Sequence, residues 1–411
     1  MAHGMPPPDP AALPLAGVRV LELSQIMAGP ICGLMLADMG AEVIKIEKFP
    51  AGDDARGYAR PKDPGLAPSF VMLNRGKRSV AVDIRQPAGQ DVIRRLAARC
   101  DIVTENFRRG KLDALGLGYE QLRAANPGLV YCSISGYGPN GPLSDKGGFD
   151  LVLQAFSGLI SVTGSLGGEQ AKPGNSVADI NAGILAALGS LSAYVRRLRT
   201  GIGSKVETSL LQASLQQMYW FAAAYFSSGA IARPMGTAHP LIAPYQTFRC
   251  AEGAIAIGGG NQANWQRIAE VLGHPEWVND PRFRTGRDRL AHQAALEALI
   301  TQALAPHGAD HWIERLDRAG VPVGPVHDVK QALEHPQSSA VSMVVEVDHA
   351  EGGTTRSLGL PLHFDGVSPH ARSAAPRVGE QTHEVLREFD FGEEEIERLQ
   401  RAQVIAQHAA A

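Results

Sequence analysis

Short runs of apolar and β-branched residues alternate with helical stretches through the first half of the chain, and this alternation constrains the fold most. Several of these runs are apolar on both faces, as strands covered by helices on both sides must be. Strands that alternate with crossover helices predict a parallel, doubly wound α/β sheet. The predicted strands are 18–23, 41–47, 79–84, 101–106, 129–135 and 204–210, and the predicted helices are 31–39, 87–99 and about 119–125.

The segment 230–330 has a different pattern. Two runs, 245–250 and 254–258, flank the turn Ala251-Glu252-Gly253 and predict a hairpin, and amphipathic helices follow from Asn264 onwards. A second, smaller α+β domain is therefore predicted at 230–330. Beyond it we expect short strands and a terminal helix over 393–407, and we interpret the proline-rich residues 1–14 as a disordered lead-in.

The composition excludes several classes of protein. Hydrophobic residues make up 44% of the chain, and 39 lysines and arginines against 42 aspartates and glutamates give a net charge of −3. A disordered chain would be less hydrophobic and more highly charged. A general nucleic-acid binder would show a basic excess.

Other familiar signals are missing. The four cysteines form no CxxC pair and the thirteen histidines no HExxH, so we expect neither a metal site nor a redox dithiol, and a reducing, cytoplasmic compartment. Neither a secretory signal nor an apolar run of about 18 residues is present, so no transmembrane helix is expected.

Two motif strings lack the context that their chemistry needs. Residues 136–141 match GxGxxG, but Pro142 and Gly147-Gly148 follow where a dinucleotide loop must open into a helix. Residues 174–178 nearly match the GxSxG elbow, but Lys172-Pro173 stand where a strand is required. The residues therefore give poor support to a dehydrogenase or a serine hydrolase.

Asp179 stands before a long predicted helix, 180–198, whose small residues along one face would let another backbone or a ligand approach closely. Aspartate is favoured as a helix N-cap because it accepts backbone N–H bonds. The same donors and the helix dipole would keep the carboxylate ionised. An ionised carboxylate can attack an activated acyl group. From the residues alone, the cap and the nucleophile are both open interpretations.

Gly258-Gly259-Gly260 lie between a predicted strand and a predicted helix, where backbone N–H groups can face an anion or a developing oxyanion. A flexible exit from the hairpin is the alternative. Basic residues that close the strand runs should gather at the sheet edge where such folds bind ligands, and would suit a phosphate-bearing nucleotide. They are Lys45, Lys48, Arg75, Lys77, Arg78, Arg85, Arg108, Arg109 and Lys111.

Six segments together are specific: VLELSQIMAGPICGLMLADMGAEVIKIE (20–47), NRGKRSVAVDI (74–84), DIVTENFRRGKLDALGLGYE (101–120), SGYGPNGP (135–142), GFDLVLQAFSGL (148–159) and VADINAG (177–183). In these segments the chain resembles the class III CoA-transferases, the CaiB/BaiF family, over about residues 15–390. The resemblance implies a large Rossmann-like CoA-binding domain from 15–229 and 331–411, the small domain at 230–330, and two chains interlocked as a homodimer.

For the chemistry, the resemblance implies that Asp179 attacks an acyl-CoA thioester and forms an aspartyl anhydride and then an aspartyl-CoA thioester. Gly259 and Gly260 match a mobile loop that covers the active site. No permanently bound cofactor is implied, with coenzyme A and acyl-CoA as substrates and neither nucleic acid nor membrane as a partner. The implied CoA contacts are Met27, Ala28, Lys48, Asp83, Ile84, Arg85, Asn106, Phe107, Arg108, Lys146, Phe149 and Asp150.

Departures from the family pattern bear on function. Met27 and Ala114 replace a glutamine and an arginine that contact CoA in formyl-CoA transferase, so phosphate contacts are expected to shift to Arg108, Arg109 or Lys111. Phe149 stands where the racemase branch has a histidine. Racemisation needs two acid–base groups that face each other, so the loss of this histidine argues against racemase chemistry.

Segment 236–248 is similar to dicarboxylate-using members, with His239 and Tyr245 as candidate acceptor contacts or as parts of a structural linker. We expect a CoA-transferase. An isomerase of the same fold and a non-catalytic CoA-binding dimer are the alternatives.

Overall fold

The computed structural model describes residues 13–58, 67–348, 354–370 and 373–408, which form two compact units. The large unit comprises the described parts of 1–157, 174–217 and 336–411, and the small unit comprises 158–173 and 218–335. The small unit thus includes 158–173 and 218–229, which the sequence prediction assigned to the large domain. A backbone hydrogen bond from Gly236 N to Gly164 O, at 2.8 Å, joins 158–173 to the segment after α10 within the small unit. Of the predicted lead-in, residues 1–12 lie outside the described residues.

The strands follow the predicted order. They are β1 (Arg19–Leu23), β2 (Glu42–Glu47), β3 (Lys77–Val82), β4 (Ile102–Glu105), β5 (Val130–Ser135), β6 (Ser204–Ser209), β7 (Tyr245–Arg249), β8 (Ala254–Gly258), β9 (Val323–Pro325), β10 (Val344–Asp348), β11 (Thr354–Leu358) and β12 (Ile405–Ala406).

The helices connect and cover these strands. They are α1 (Ala28–Asp38), α2 (Pro68–Asn74), α3 (Pro87–Ala97), α4 (Lys111–Ala114), α5 (Tyr119–Ala125), α6 (Asp150–Phe156), α7 (Leu159–Val162), α8 (Val177–Thr200), α9 (Leu210–Gln216), α10 (Tyr219–Ser228), α11 (Gln262–Val271), α12 (Gly286–Ala291), α13 (Gln293–Leu304), α14 (Ala309–Arg318), α15 (Val329–Glu334), α16 (Pro336–Ala340), α17 (Thr382–Glu388) and α18 (Glu393–Arg401).

The large unit is built on a seven-stranded sheet in the order β12-β3-β2-β1-β4-β5-β6. Strands β1 to β6 pair in parallel, and β12 pairs antiparallel with β3 through Ile405 opposite Val82. Successive side chains of β1 lie on opposite faces of the sheet, so Val20 packs in one hydrophobic core and Leu21 in the other. The mostly parallel α/β sheet with two covered faces confirms the predicted fold class, and the switch in strand order between β1 and β4 is where such sheets bind ligands.

The small-residue face of α8 packs closely against α1, as the sequence predicts. A Cβ built on Gly183 would lie 2.6 Å from the carbonyl oxygen of Ala28, and Ala182, Ala186 and Ala187 are buried on the same face. Helix α8 is long and apolar enough to meet the length and composition criteria of a membrane span. Its packing on α1 and on the sheet gives it the role of a core helix.

The small unit holds the predicted hairpin, with β7 and β8 antiparallel and β9 beside β8. Its core includes Trp265, Phe283 and Ile300. The prediction of a terminal helix over 393–407 is wrong at its end, because α18 stops at Arg401. Gln403 takes a φ of 54°, which turns the chain so that β12 can join the large sheet.

Candidate active site

Asp179 lies in the first turn of α8, and its position corrects the N-cap interpretation. Ser176 is the capping residue and makes no side-chain cap bond, whereas Asp179 is the third residue of the helix. The Asp179 side chain is half-buried, and within the described part of the chain no hydrogen-bond donor reaches its carboxylate. A half-buried carboxylate without donors is poorly stabilised in its charged form and free to react.

A second carboxylate fixes the start of α8. Asp150, the first residue of α6, is buried; its Oδ1 accepts the Ala178 N–H at 3.0 Å and its Oδ2 accepts the Gln154 Nε2–H at 2.6 Å. Both oxygens of Asp150 are engaged inside the protein, and the CoA contact at this residue stays a prediction. The residue that bonds to it, Ala178, is the immediate neighbour of Asp179.

The electrostatic surroundings of Asp179 reverse one prediction. Burial, together with the negative charge of Asp150, raises the pKa of Asp179 to about 7. The sequence argument, based on helix donors and the helix dipole, predicted a carboxylate kept firmly ionised, and that direction is wrong. Near neutral pH the group exists in both forms, and its ionised form is a desolvated nucleophile.

Two adjoining cavities open at the carboxyl ends of the parallel strands, as the strand order leads one to expect. The first cavity, of about 500 Å³, is lined by the ends of β1, β2 and β3, and the second, of about 380 Å³, by the ends of β1, β4 and β5. Gln25, Phe107 and Lys111 line both cavities. An elongated ligand could therefore extend from one cavity into the other.

The structure brings together most of the residues predicted to contact CoA. The first cavity is lined by Lys48, Asp83, Ile84, Arg85 and Phe107, and the second by Met27, Ala28, Asn106, Phe107, Arg108, Lys146 and Phe149. Asp150 alone among the predicted contacts lines neither of these two cavities.

Several of these side chains are already engaged. Asn106 Oδ1 accepts the Gln25 N–H at 3.0 Å while its Nδ2 donates to Gln25 O at 2.8 Å, so this side chain holds a turn. Arg85 donates to both oxygens of Asp83, at 2.8 and 3.0 Å, and these bonds lower the pKa of Asp83 to about 2. These polar pairs shape the cavity walls.

Cationic side chains also face the cavities. Lys48 forms an exposed ion pair with Asp54, and Arg108 lines the second cavity with a guanidinium group that makes no hydrogen bond or ion pair to the described residues. Ala114 lines the first cavity, and Lys111, one helical turn earlier in α4, lines both. Lys111 is therefore a cation one helical turn from Ala114, in the wall of the same cavity.

Four of the basic residues predicted at the sheet edge are occupied elsewhere. Lys45 and Lys77 are fully buried and form ion pairs with Glu22, and Arg75 is buried and forms an ion pair with Asp38. Arg78 pairs with acidic residues of β2 and α17. Their distance from the strand ends along β2 and β3 explains the difference, because the carboxyl edge starts only beyond Glu47 and Val82.

The glycine loop of the small unit serves close packing. A Cβ on Gly259 would meet Ile268 Cδ1 at 2.2 Å, and one on Gly260 would meet Ile242 Cγ2 at 2.1 Å. The Gly258 N–H donates to Pro322 O at 2.8 Å and the Gly259 N–H to Pro244 O at 3.0 Å. The oxyanion interpretation is wrong for these two amides because both are already bonded.

His239 and Tyr245 lie together in the small unit. The rings of His239 and Tyr245 make an edge-on contact with centroids 5.3 Å apart, and the Trp220 ring also makes an edge-on contact with His239, at 6.1 Å. His239 Nδ1 accepts the Leu241 N–H at 3.1 Å. The proton of a neutral His239 therefore lies on Nε2, which can donate to a carboxylate.

The comparisons with known proteins agree with this geometry. The family model for CoA-transferase family III matches residues 15–382. The chain belongs to this family and is a CoA-transferase.

Individual relatives cover nearly the whole chain. The succinyl-CoA:glutarate CoA-transferase of Mus musculus is 34% identical over 96% of this chain and 91% of its own length. The succinate–glutarate CoA-transferase of Agrobacterium fabrum is also 34% identical, over 92% and 96% of the two chains. A crystal structure of a CAIB/BAIF family protein from Brucella suis is 37% identical, with a TM-score of 0.81 over 92% of this chain and 100% of that one.

Sequence reasoning missed a residue that supports the site. Asp53 accepts the Ile26 N–H at 2.9 and 3.2 Å. The two residues are 27 positions apart, so no local pattern could identify this contact. The one available signal was an acidic residue directly after Gly52, beyond a buried strand.

Proposed function

We propose that the chain moves CoA from an acyl-CoA to a free carboxylic acid, with Asp179 as the covalent nucleophile. The observation that carries this proposal is the half-buried carboxylate of Asp179, which accepts no hydrogen bond from the described residues and lies near the buried carboxylate of Asp150. Asp150 joins this site to the second cavity, because it bonds to Ala178 and directly follows the cavity residue Phe149.

The steps balance without a metal or redox partner. The Asp179 carboxylate attacks the thioester carbonyl, a C–O bond forms, and the C–S bond breaks to release CoA thiolate. The thiolate attacks the aspartyl carbonyl of the anhydride, which releases the donor acid and leaves an aspartyl-CoA thioester. The acceptor carboxylate attacks this thioester, the C–S bond breaks to release CoA thiolate, and a second anhydride forms between Asp179 and the acceptor. The thiolate then attacks the acceptor carbonyl of this anhydride, which gives the acceptor acyl-CoA and releases the Asp179 carboxylate. In each step one activated acyl group is converted into another of similar activation.

We propose that the two cavities at the sheet edge hold the CoA part of the substrate. Lys48, Arg108 and Lys111 are the cations placed to meet its phosphates, which bind well to lysine and arginine. Phe107 lies between the cavities, with the Lys111 ammonium 4.7 Å from its ring centroid. Met27 and Ala28 supply the wall at the start of α1.

A dicarboxylate is proposed as donor, acceptor or both. Relatives at 34% identity are named for succinyl-CoA and glutarate. His239 Nε2 and the half-exposed Tyr245 offer donors to a remote carboxylate. Gly259 and Gly260 are proposed to belong to a loop that shields the anhydride from water, since hydrolysis would discard the activated acyl group.

We further propose that the protein works as an interlocked homodimer in the cytoplasm. Helix α10 has no buried residue, and its Phe226 side chain is 83% exposed. An exposed apolar surface of this kind is typical of a protein–protein interface. The α8 residues Leu188 and Leu198 are also exposed. All four cysteines are free, in keeping with a reducing compartment.

The transfer chemistry can be tested with oxygen-labelled acceptor. Succinyl-CoA and [¹⁸O]glutarate are incubated with the enzyme, and the released succinate is analysed by mass spectrometry. Because the anhydride steps pass one acceptor oxygen through the Asp179 carboxylate, we expect ¹⁸O in succinate after several turnovers. Hydroxylamine added during turnover should modify Asp179 alone. Unlabelled succinate, or a modified serine or cysteine, would reject the mechanism.

The same preparation distinguishes the alternatives. An isomerase would incorporate solvent deuterium at the substrate α-carbon, and a non-catalytic protein would bind CoA without exchange. We expect neither outcome. Light scattering of the same sample should give the mass of two chains, and a monomeric mass would contradict the proposed dimer.

The pH dependence of the first step follows from the raised pKa of Asp179. Because the ionised carboxylate is the nucleophile, log kcat/KM for acyl-CoA should rise with a slope of about 1 up to about pH 7 and then level off. Asp150→Asn removes the nearby negative charge and keeps an oxygen for the Ala178 N–H, so the midpoint should fall by about half a unit or more. A flat profile from about pH 5.5 to 8 would contradict this role.

A further inference from the structure

Ile26 adopts a backbone conformation that a β-branched residue rarely takes. Its φ is +69°, in the left-handed region, at the turn between β1 and α1. Such a conformation is strained for a side chain branched at Cβ and persists only where the surroundings enforce it. The turn matters for the proposed CoA site, because Gln25, Ile26 and Met27 all line the second cavity.

Two polar side chains hold this turn from either side. Asp53 Oδ1 and Oδ2 lie 2.9 and 3.2 Å from the Ile26 nitrogen and accept its N–H. Asn106 bonds to both the N–H and the carbonyl of Gln25. Together they fix the peptide groups on both sides of Gln25.

The Asp53 carboxylate is itself held by a buried charge. Its Oδ2 lies 2.9 Å from the Nζ of Lys45, which also donates to Ser24 O at 2.8 Å, at the beginning of the turn. Both side chains of this ion pair are essentially inaccessible to solvent. Burial alone would raise the pKa of Asp53, but the Lys45 ammonium and the N–H donors of Ala55 and Ile26 together outweigh it, so that the pKa is lowered and the carboxylate stays charged.

The support continues beneath the turn to the start of α1. Glu22 Oε1 accepts from Lys45 Nζ at 2.8 Å, and Glu22 Oε2 forms an ion pair with Lys77 Nζ, also at 2.8 Å. Lys77 in turn donates to Pro30 O at 2.9 Å. A continuous chain of buried charges therefore joins the Ile26 amide to the first turn of α1 and braces both ends of the segment.

We propose that Asp53 is a positioning residue for acyl-CoA binding: its carboxylate forces Ile26 into the left-handed conformation and so places Gln25 and Met27 in the cavity wall. This inference rests on the proposed function, since it assumes that CoA occupies this cavity. Asp53 acts through the backbone of the turn.

The test is a double-mutant cycle between Asp53→Asn and Ile26→Gly, with the Kd for CoA measured by calorimetry. Asp53→Asn keeps one acceptor oxygen but loses the attraction of Lys45, and we expect CoA to bind at least about tenfold more weakly. Glycine takes a φ of +69° without strain. Ile26→Gly removes a side chain that lines the cavity, so the Kd of this variant is the reference for the second arm of the cycle. In the Ile26→Gly chain, the effect of Asp53→Asn should shrink at least about threefold.

Other outcomes would overturn the proposal. A purely structural role would lower the melting temperature yet leave the Kd of the folded protein unchanged, or give equal losses in both backgrounds. Should Asp53→Asn fail to fold, Ile26→Pro serves with Asp53 intact, because proline can neither donate to Asp53 nor take a positive φ. Normal CoA binding by Ile26→Pro would reject the proposal.

Two controls complete the design. Asp91→Asn, at an exposed site on α3, should leave the Kd unchanged. Calorimetry with CoA reads binding without turnover. If the wild type binds CoA but transfers none, the proposed function fails while the cycle remains interpretable.

Discussion

Asp179→Asn is expected to abolish CoA transfer while making the protein more stable at pH 8. The amide has the shape of the carboxylate but cannot attack a thioester, and loss of a covalent nucleophile typically lowers kcat by about 10⁴-fold or more. Single-turnover mass spectrometry with acyl-CoA should show no acylated Asp179 peptide. Retained transfer at even about 10% of the wild-type rate would reject Asp179 as the nucleophile.

The gain in stability follows from the direction of the pKa shift. The pKa of Asp179 rises from 3.8 to about 7 on folding, because of burial and of Asp150. Between these two values the folded state binds more protons than the unfolded state, so the free energy of unfolding falls as the pH rises through this window. At pH 8 the charged side chain is a cost that asparagine removes. After allowance for partial exposure, the gain is about 1–2 kcal/mol.

The pH and a matched acid provide the controls. The gain should fade towards pH 4, where Asp179 is protonated in the folded state and about 40% protonated in the unfolded state. Asp310 occupies the first turn of α14 and is exposed, so Asp310→Asn should be neutral or slightly destabilising at pH 8 through loss of the helix-dipole interaction. Equal effects at pH 8 and pH 4 would contradict the proposed origin of the gain.

The sequence was sufficient for the sheet because its strands carry their own local signal. Runs such as 18–23 and 129–135 are apolar on both faces, and the structure has strands Arg19–Leu23 and Val130–Ser135 there. Strand β12 has two residues and exists through its pairing with β3, more than 320 residues earlier. The pattern of residues over 393–407 is helical, so it gives no local indication of this strand.

The site shows the same division between local and distant causes. Cavity residues such as Lys48 and Arg108 follow strand ends, so their position could be predicted from the alternation of elements. The raised pKa of Asp179 could not be predicted in this way, because it depends on burial in the folded protein and on Asp150, 29 positions earlier. The occupied amide of Gly258 depends likewise on Pro322. Hydrogen-bond partners distant in the chain decide whether a donor is free, and one sequence does not reveal them.

Glu22→Ala is expected to be among the most destabilising single changes in the large unit. Glu22 lies on β1 with no solvent exposure, and its two oxygens bond to Lys45 and Lys77. Gly33 on α1 makes room for it, since a Cβ there would lie 1.8 Å from Glu22 Oε2. Removing the carboxylate leaves two buried ammonium groups with Asp53 as the remaining close anion. An uncompensated buried charge costs about 3–5 kcal/mol.

Urea unfolding of Glu22→Ala should therefore show a loss of about 3–5 kcal/mol, against less than about 0.5 kcal/mol for Glu397→Ala. Glu397 pairs with Arg401 at 3.8 Å, and both side chains are at least 66% exposed. Adding Lys77→Met to Glu22→Ala should recover at least about a third of the loss, because one buried cation then faces one buried anion. Lys77 is the cation to remove, since burial lowers its pKa to about 8 while Glu22 supports its charge. A loss no larger than that of Glu397→Ala would show that the buried charges stabilise nothing, and the support assigned to the turn at Ile26 would fall with them.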